Sequence, residues 1–292
     1  MVKKTAYIAL TLLFFSNIGI ADINDGLVGY WNFDDGTATD NSGNGNDGVI
    51  HGTLLTEGVS GNTLSFDGLD DYVDMGDVLD PELSSWSISV WYLKQTPSTS
   101  MMKIVNKNCT VSGTPQNTGY QMRTQNGNLE FHVADQWNNW WRINTFEPSI
   151  HQWHHVVGTL DRELNEMRLY VDGVEVGFLS IDNIGDISSN IPFAIGSLHR
   201  GQFGVTSEFF NGLIDEVRIY NRVLNCTEAR ELHDLIFNPA DFNHDRSIGI
   251  SDLHILASEW LQTENLLSDI YPVCGDGIVD MNDFVEFASN WF

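Results

Sequence analysis

The feature that most constrains the fold is an alternation of apolar and polar residues with a period of two, which extends over most of residues 22–237. Trp86–Val90, Leu129–Val133 and Met167–Val171 all show this alternation. Such a period places apolar side chains on one face of a strand and polar side chains on the other. Asp172-Gly173 lies between two alternating segments, and this dipeptide is typical of a two-residue hairpin turn. The sequence therefore predicts a mainly β domain of antiparallel strands packed as a sandwich.

The charge of the chain excludes two classes of function. The 292 residues include 14 Lys and Arg against 40 Asp and Glu, which gives a formal net charge of −26. A nucleic-acid-binding protein needs a basic surface for the phosphates, and an anionic membrane attracts basic segments. We therefore expect no nucleic-acid ligand and no docking on an anionic membrane. Because 42% of the residues are hydrophobic, the chain is globular, and one use of its surplus carboxylates is to bind calcium.

Residues 1–21 have the layout of a secretory signal peptide. Lys3 and Lys4 precede an apolar run from Ala6 to Phe15, and Gly19-Ile20-Ala21 supplies the small residues of a cleavage site. We expect cleavage near Ala21 and a secreted, extracellular mature protein, and the alternative is an uncleaved N-terminal anchor. No later stretch is long and apolar enough to span a bilayer, so no membrane insertion is expected after cleavage.

Three cysteines are present, Cys109, Cys226 and Cys274, and none of them has the spacing of a zinc site. Cys109 and Cys226 both lie in the predicted β domain, so these two could form a disulfide in an oxidising compartment. The equal alternative is that they do not pair.

Six short segments with characteristic sequences follow one another along the predicted β domain. They are Gly29–Asp34, Asp40–Asn46, Leu64–Val73, Trp153–Val157, Leu169–Gly173 and Gly212–Tyr220. These segments resemble the laminin-G-like jelly rolls of the concanavalin A-like lectin/glucanase superfamily. The resemblance implies an antiparallel jelly-roll sandwich over residues 22–237. It leaves the function open, because this fold carries lectins, adhesion modules and glycosidases alike.

The acids of the β domain do not have the spacing of a glucanase site. Glucanases of this superfamily carry their catalytic acids in the pattern Glu-x-Asp-x-x-Glu, which brings two carboxylates close together. No Glu of this chain is followed by Asp two positions later. The group of acids nearest to that pattern, Asp161–Glu166, falls in a predicted hairpin loop and is typical of a solvated turn. The sequence therefore predicts a non-catalytic domain, and a glycoside hydrolase with non-standard acids is the alternative.

Two sets of possible metal ligands lie on predicted strands. His154 and His155 are neighbours that point to opposite faces of a strand, so they cannot hold one ion together. Asp215 is predicted to share an apolar face with Val217 and Ile219, where an ionised carboxylate needs hydrogen bonds or a cation. In the related glucanases the Asp of the last strand is similar to a calcium ligand, which implies a calcium role for Asp215. The alternative is that its carboxylate caps backbone amides of a neighbouring strand.

The aromatic residues of the β domain are concentrated in one segment, where Trp137, Trp140 and Trp141 flank Asn138 and Asn139. Sugars present C–H faces that stack on flat rings, and amide side chains bind hydroxyl groups, so this segment is a candidate carbohydrate-binding site. The alternative is ordinary filling of the core and of a sheet edge. Trp140 and Trp141 point to opposite faces of a strand, so at most one of them belongs to the core.

Residues 238–292 contain a sequence repeat with an offset of 31 residues. Asp245, Asp252 and Trp260 recur as Asp276, Asp283 and Trp291. After each acidic loop, apolar residues recur with the spacing of a helix, over 253–261 and again over 284–292. The sequence therefore predicts a small α module of two loop–helix units.

The acidic loops of this repeat have the ligand spacing of an EF-hand. In the first loop the side chains of Asp241, Asn243, Asp245 and Asp252 and the carbonyl group of Ser247 occupy ligand positions. In the second loop Asp276, Asp280 and Asp283 do so, whereas Pro272 and Cys274 stand at the first two ligand positions. We expect calcium in the first loop and weak or no binding in the second. The alternative for both loops is a pair of turns that cap the helices.

This repeat resembles a dockerin, a duplicated calcium-loop-plus-helix module of exported polysaccharide-degrading systems. The resemblance covers residues 238–292 and implies a cohesin-like scaffold protein as a partner. Together, the sequence indicates a secreted, calcium-ordered, non-catalytic protein that binds a glycan or glycoprotein. Besides a glycoside hydrolase, the alternative is a structural module that binds only protein.

Overall fold

In the computed structural model, residues 22–97, 100–108, 118–199, 205–237, 240–243, 248–262, 268–270 and 278–291 are described. These residues form seventeen strands and three helices. The strands are β1 (Leu27–Trp31), β2 (Val49–His51), β3 (Leu54–Glu57), β4 (Asn62–Asp67), β5 (Tyr72–Asp74), β6 (Trp86–Lys94), β7 (Met102–Asn108), β8 (Gly119–Gln125), β9 (Asn128–Ala134), β10 (Trp140–Phe146), β11 (Trp153–Asp161), β12 (Glu166–Val171), β13 (Val174–Ser180), β14 (Ala194–Ile195), β15 (Leu198–His199), β16 (Val205–Ser207) and β17 (Asn211–Tyr220). The helices are α1 (Cys226–Asp234), α2 (Ile250–Glu259) and α3 (Met281–Asn290).

Two antiparallel sheets contain most of the strands. The first sheet has the order β13-β12-β11-β6-β17-β4-β3, and β1 also pairs with β17. The second has the order β10-β9-β8-β7-β14-β5-β2, while β15 and β16 form a separate two-stranded ribbon. The predicted hairpin at Asp172-Gly173 joins β12 to β13. The mainly β, antiparallel jelly-roll sandwich that the sequence predicts is therefore confirmed.

The core lies between the two sheets and follows the alternation of the sequence. Trp86, Ile88 and Val90 of β6 belong to it, together with the inward residues of β9 and β12. The polar positions of β6 do not face water, however. Ser87 and Ser89 are buried on the opposite face, where the hydroxyl of Ser87 donates to the carbonyl of Arg222 at 2.9 Å. The first sheet is therefore covered on both faces at β6.

The cover on the outer face of the first sheet is α1, a helix that the sequence reasoning missed. Asn225 caps it through a reciprocal box, since the amide of Glu228 donates to Asn225 Oδ1 at 3.1 Å and the amide of Asn225 donates to Glu228 Oε2 at 2.8 Å. Such a box satisfies two of the amides that a helix start leaves unpaired. The ring of His233 stacks on Trp91, with ring centroids 5.5 Å apart, and so fixes the helix on the sheet.

A β-bulge in β17 changes the face on which Asp215 lies. The pairing with β6 shifts register between Asp215 and Arg218, and Glu216 has φ of 51°. Val217 and Ile219 enter the core, whereas Asp215 pairs with Trp91 of the outer face. The prediction that Asp215 shares a face with Val217 and Ile219 is therefore wrong, because a bulge reverses the alternation of side chains.

The described residues of the 31-residue repeat form α2, α3 and a small apolar cluster of their own. Leu256 of α2 and Phe287 of α3 are buried at equivalent positions of the repeat. Trp260 and Leu261 are more exposed than the helical stripe predicts, because α2 ends at Glu259. Among the described residues, no helix is both long and apolar enough to cross a membrane.

Candidate functional site

The β9–β10 connection carries an open groove lined by aromatic rings. Trp137 is 62% exposed and Trp140 is 60% exposed, whereas Trp141 is partly buried against the core. The groove has a volume of about 510 Å³. Its lining comprises Trp137, Asn138, Asn139, Trp140, Trp141, Asp182 and Asn183. The structure thus brings together all three tryptophans of the predicted site, and the opposite orientation of Trp140 and Trp141 is confirmed.

A buried carboxylate holds the backbone of this groove. Asp135 Oδ1 accepts the amides of Trp137 and Asn139, both at 3.0 Å, and Oδ2 accepts the amide of Gly185 at 3.0 Å. The side chain of Asn139 also donates to Oδ2, at 3.2 Å. Asp135 therefore ties the tryptophan loop to the segment that forms the other part of the groove. An Asp two residues before a loop tryptophan is typical of an Asx turn, a signal that could have identified it.

Trp137 packs directly on the backbone of Gly185. A Cβ atom at position 185 would lie 2.9 Å from the ring carbons Cε3 and Cζ3 of Trp137. This distance is shorter than van der Waals contact, so a side chain there would displace the ring. The position of the Trp137 ring thus depends on the absence of a side chain at Gly185.

Trp140 also forms a wall of a second cavity, of about 240 Å³, on the outer face of the second sheet. The lining of this cavity comprises Asn108, Gln121, Arg123, His132, Ala134, Trp140 and Arg142. In the sheet register, Gln121 pairs with His132 and His132 pairs with Arg142, so these three side chains form one row across β8, β9 and β10. The ring of His132 stacks with Trp140 at a centroid distance of 6.2 Å.

Glu130 organises the polar side chains of this outer face. Its carboxylate accepts Nε of Arg123 at 2.7 Å, Nη1 of Arg142 at 3.3 Å and Nε2 of His132 at 3.0 Å. Burial raises the pKa of Glu130, but the hydrogen bonds from His132 and Arg123 outweigh burial and lower the pKa to about 2. Burial also lowers the pKa of His132. At neutral pH the network therefore contains one carboxylate, two guanidinium groups and a neutral imidazole. The sequence reasoning did not single out these residues.

The carboxylate of Asp215 is engaged by backbone amides. Oδ2 accepts the amide of Val59 at 3.0 Å, and Oδ1 accepts the amide of Glu216 at 2.8 Å. Burial, followed by the negative charge of Glu216, raises the pKa of Asp215 to about 8. These contacts are of the capping kind, as in the alternative of the sequence analysis, but the donors lie in the loop between β3 and β4 and in β17 itself, whereas that alternative placed them in a neighbouring strand. A calcium role for Asp215 stays a prediction.

Equivalent carboxylates of the repeat each accept two backbone amides, one of which comes from an equivalent position. Asp252 accepts the amide of Gly249 at 2.8 Å and that of Asn243 at 3.2 Å. Thirty-one residues later, Asp283 accepts the amides of Asp280, at 2.8 Å, and Ile270, at 2.7 Å. Each carboxylate thus joins the start of its helix to a segment before it.

The described members of the first predicted calcium loop are Asp241, Asn243 and Asp252. Their side chains offer carboxylate and amide oxygens, the hard ligands that calcium prefers. Asp280 of the second loop caps α3, since Oδ1 accepts the amide of Asn282 at 2.7 Å. Several expected site residues lie outside the described residues: Cys109, Asp245, Ser247 and Asp276. The Cys109–Cys226 disulfide, calcium in the first loop and weak or no binding in the second therefore stay predictions.

One further cluster of acids is present among the described residues. Asp67, Asp70 and Asp71 have carboxylate oxygens within 4.8 Å of one another. Asp67 Oδ1 accepts the amide of Leu69 at 2.8 Å, and Asp71 Oδ2 accepts the amide of Asp67 at 2.8 Å. These contacts are those of a tight turn between β4 and β5.

Ser149, His154 and Asp172 are placed in the order of a hydrolase triad. Nδ1 of His154 lies 2.8 Å from Asp172 Oδ2, and Nε2 lies 3.1 Å from both Oγ and the carbonyl oxygen of Ser149. A carbonyl only accepts, so Nε2 carries a proton. Burial has the largest single effect and lowers the pKa of His154, but the charge and hydrogen bond of Asp172, together with the hydrogen bond to the Ser149 carbonyl, raise the pKa above its ordinary value. The ring of His154 thus joins the loop of Ser149 to the turn between β12 and β13, and we interpret this group as a structural clamp between two loops.

A comparison with protein families identifies the class of this domain. Residues 66–230 match the family described as the Concanavalin A-like lectin/glucanases superfamily, and this match covers more than half of the chain. The chain therefore belongs to this superfamily, as the resemblance of its six segments predicts. No curated protein matches the sequence.

Solved structures with the same fold include several binding domains. The binding domain of Paraclostridial Mosquitocidal Protein 1 is 21% identical, with a TM-score of 0.62 over 74% of this chain and 54% of that chain. Domain 4 of AbnA, a GH43 extracellular arabinanase from Geobacillus stearothermophilus solved with arabinotriose, is 20% identical, with a TM-score of 0.55 over 71% and 98%. The botulinum neurotoxin serotype D binding domain is 15% identical, with a TM-score of 0.58 over 72% and 52%.

At these identities the likeness shows the fold alone. The chain spans about half the length of the first and third of these structures and nearly all of the second. The three structures are described as binding domains or as one domain of an enzyme with a bound oligosaccharide.

Proposed function

We propose that this protein is a non-catalytic carbohydrate-binding protein, and that the groove at Trp137 and Trp140 is its glycan site. The observation that carries the proposal is the exposure of two large aromatic rings beside a row of amide and carboxylate groups. Monomeric proteins bury most of their aromatic surface, and an exposed ring beside polar groups suits a ligand with one apolar and one polar face. A pyranose or furanose ring is such a ligand.

The geometry of the groove supports binding in two ways. The rings of Trp137 and Trp140 offer flat surfaces for the C–H face of a sugar, and the side chains of Asp182 and Asn183 offer groups for its hydroxyls. The loop is held by Asp135 and by contact with Gly185, so the rings are ordered before a ligand arrives. An ordered site loses less entropy on binding than a mobile one.

The carboxylates of the site support a role in binding without catalysis. Glycoside hydrolysis commonly uses two acids at a defined separation. Of the described residues that line the groove, one is acidic, Asp182. Glu130, on the neighbouring outer face, stays ionised at neutral pH and is bound to two arginines, which makes it unsuited to act as a general acid.

The C-terminal repeat extends the proposal to a tether. We infer that residues 238–292 form a dockerin-like module that binds calcium in its first loop and docks on a cohesin-like scaffold protein. The hard oxygen ligands of Asp241, Asn243 and Asp252 and the equivalent places of Asp252 and Asp283 support this view. Because residues 1–21 have the layout of a signal peptide, we infer a secreted protein that holds a polysaccharide near a scaffold.

A glycan array followed by calorimetric titration tests the glycan site. We expect at least one plant or microbial polysaccharide to bind, and Trp137→Ala and Trp140→Ala to weaken it. Phe146→Ala is the matched control, because Phe146 is 87% exposed at the other end of β10, about 20 Å from Trp140, and lines neither cavity. No glycan binding, together with capture of a defined protein ligand, would favour the structural alternative.

A further inference from the structure

The cavity beside Trp140 differs in charge from the rest of the chain. The protein has 40 acidic and 14 basic residues. The described lining of this cavity, in contrast, contains the two guanidinium groups of Arg123 and Arg142 and no carboxylate. Glu130 contacts both arginines and cancels one of the two charges. A net charge of about +1 therefore remains beside the Trp140 side of the glycan groove.

Arg142 is placed to use its remaining donors on a ligand. Its side chain is 38% exposed, and the guanidinium carbon lies 5.7 Å from the centroid of the Trp140 ring. Glu130 engages Nη1 at 3.3 Å, whereas a guanidinium has five N–H groups. Arg123 is more deeply placed, since its side chain is 12% exposed and its Nε bonds to Glu130. The two groups converge on one cavity from β8 and β10.

We propose that the glycan is acidic, and that a carboxylate of a uronic acid unit binds Arg123 and Arg142 while an adjacent unit stacks on Trp140. This inference rests on the proposed glycan function of the tryptophan groove. The guanidinium fork matches a carboxylate with two parallel hydrogen bonds, which gives both affinity and orientation. Because Trp140 lines both cavities, a polysaccharide that crosses its ring reaches the arginines with its next unit.

The overall negative charge of the protein does not oppose this binding under ordinary salt. At an ionic strength of 0.1 M the screening length is about 10 Å, so distant surface carboxylates are largely screened while the arginines in the cavity remain in direct contact. We therefore expect the affinity for an acidic glycan to change little, or to rise, when salt is increased from very low concentration to 0.1 M.

Calorimetric titration with a pair of matched probes tests this proposal. The probes are an oligogalacturonate and its full methyl ester, which has the same backbone without charge, and both are titrated in the presence of a calcium chelator. We expect the acid to bind about tenfold or more tightly than the ester, since a charge-assisted hydrogen bond contributes roughly this factor. Arg142→Gln is expected to weaken binding of the acid about tenfold and binding of the ester much less, so that the preference for the acid falls.

Arg168→Gln is the matched control, because Arg168 is similarly exposed and ion-paired to Glu166 and Glu175 but lies on the other sheet. Equal affinity for acid and ester, with both lost in Trp140→Ala, overturns the acidic ligand and keeps the glycan site. Equal binding of dextran sulfate, also dependent on Arg142, overturns the assignment to a carboxylate. Binding of no carbohydrate probe overturns both the proposed function and this inference.

Discussion

The loss of the Trp140 ring is the perturbation whose effect follows most directly from the structure. Trp140 begins β10, lines both cavities and is 60% exposed. Trp140→Ala therefore removes a large part of the proposed binding surface but little of the packed core. The variant is expected to keep its fold, because the contacts that it loses are those with His132 and Arg142 on the sheet surface.

The magnitude of the effect can be worked from the exposed area. A tryptophan side chain has roughly 150–250 Å² of surface, so the 60% exposure of Trp140 leaves about 120 Å² for a ligand. A sugar covers one face of the ring, about 60 Å², and at ~25 cal/mol per Å² this contact contributes about 1.5 kcal/mol. Trp140→Ala is therefore expected to weaken glycan binding about tenfold.

Isothermal titration calorimetry with the best glycan of the array measures this change, and thermal unfolding measures the stability of the variant. We expect the dissociation constant to rise about tenfold, and the unfolding midpoint to stay within a few degrees of that of the unchanged protein. An unchanged dissociation constant would refute the argument. So would an equal loss of affinity in Phe146→Ala, because a distant exposed ring would then matter as much.

Three further predictions concern the groove, the histidine clamp and the repeat. Gly185→Ala places a Cβ 2.9 Å from the Trp137 ring, which would displace the ring, so we expect this variant to bind glycan more weakly. An unchanged affinity would contradict this prediction. Asp172 raises the pKa of His154. The interaction of the two side chains therefore stabilises the fold fully below pH ~6.5, and this stabilisation is lost as the pH rises through the raised pKa. In urea unfolding, the free energy of unfolding that His154→Gln loses should therefore become smaller from pH 6 to pH 9. A loss that grows over this range would contradict the prediction. Calcium should increase the helical circular dichroism of the full chain, with no change after deletion of residues 238–292.

The sequence was sufficient for the parts of the fold that depend on local patterns. The alternation at Trp86–Val90 and the turn at Asp172-Gly173 identify strands and a hairpin, because each pattern involves neighbours in the chain. The two helices of the repeat also overlap the apolar stripes that predict them, although each helix begins three residues earlier and α2 ends before Trp260. In contrast, α1 was missed, although Asn225 and Glu228 have the spacing of a capping box.

Features that depend on residues far apart in the chain could not be predicted from local sequence patterns. The face of Asp215 is reversed by a bulge at Glu216, and a period of two cannot reveal an extra residue in a strand. The tryptophan loop was recognised from its composition. The arginine cavity was not, because Arg123 and Arg142 are nineteen positions apart and meet only through the pairing of β8, β9 and β10.

The most direct test of the glycan site is the response of individual indole groups to ligand. In a ¹⁵N-labelled sample, each tryptophan gives a separate indole N–H signal, and single Trp→Phe variants assign them. During titration with the best glycan of the array, the signals of Trp137 and Trp140 are expected to shift, whereas those of the buried Trp31 and Trp91 stay in place. Saturable binding without a shift at Trp137 or Trp140 would contradict the account, because the glycan would then occupy another surface.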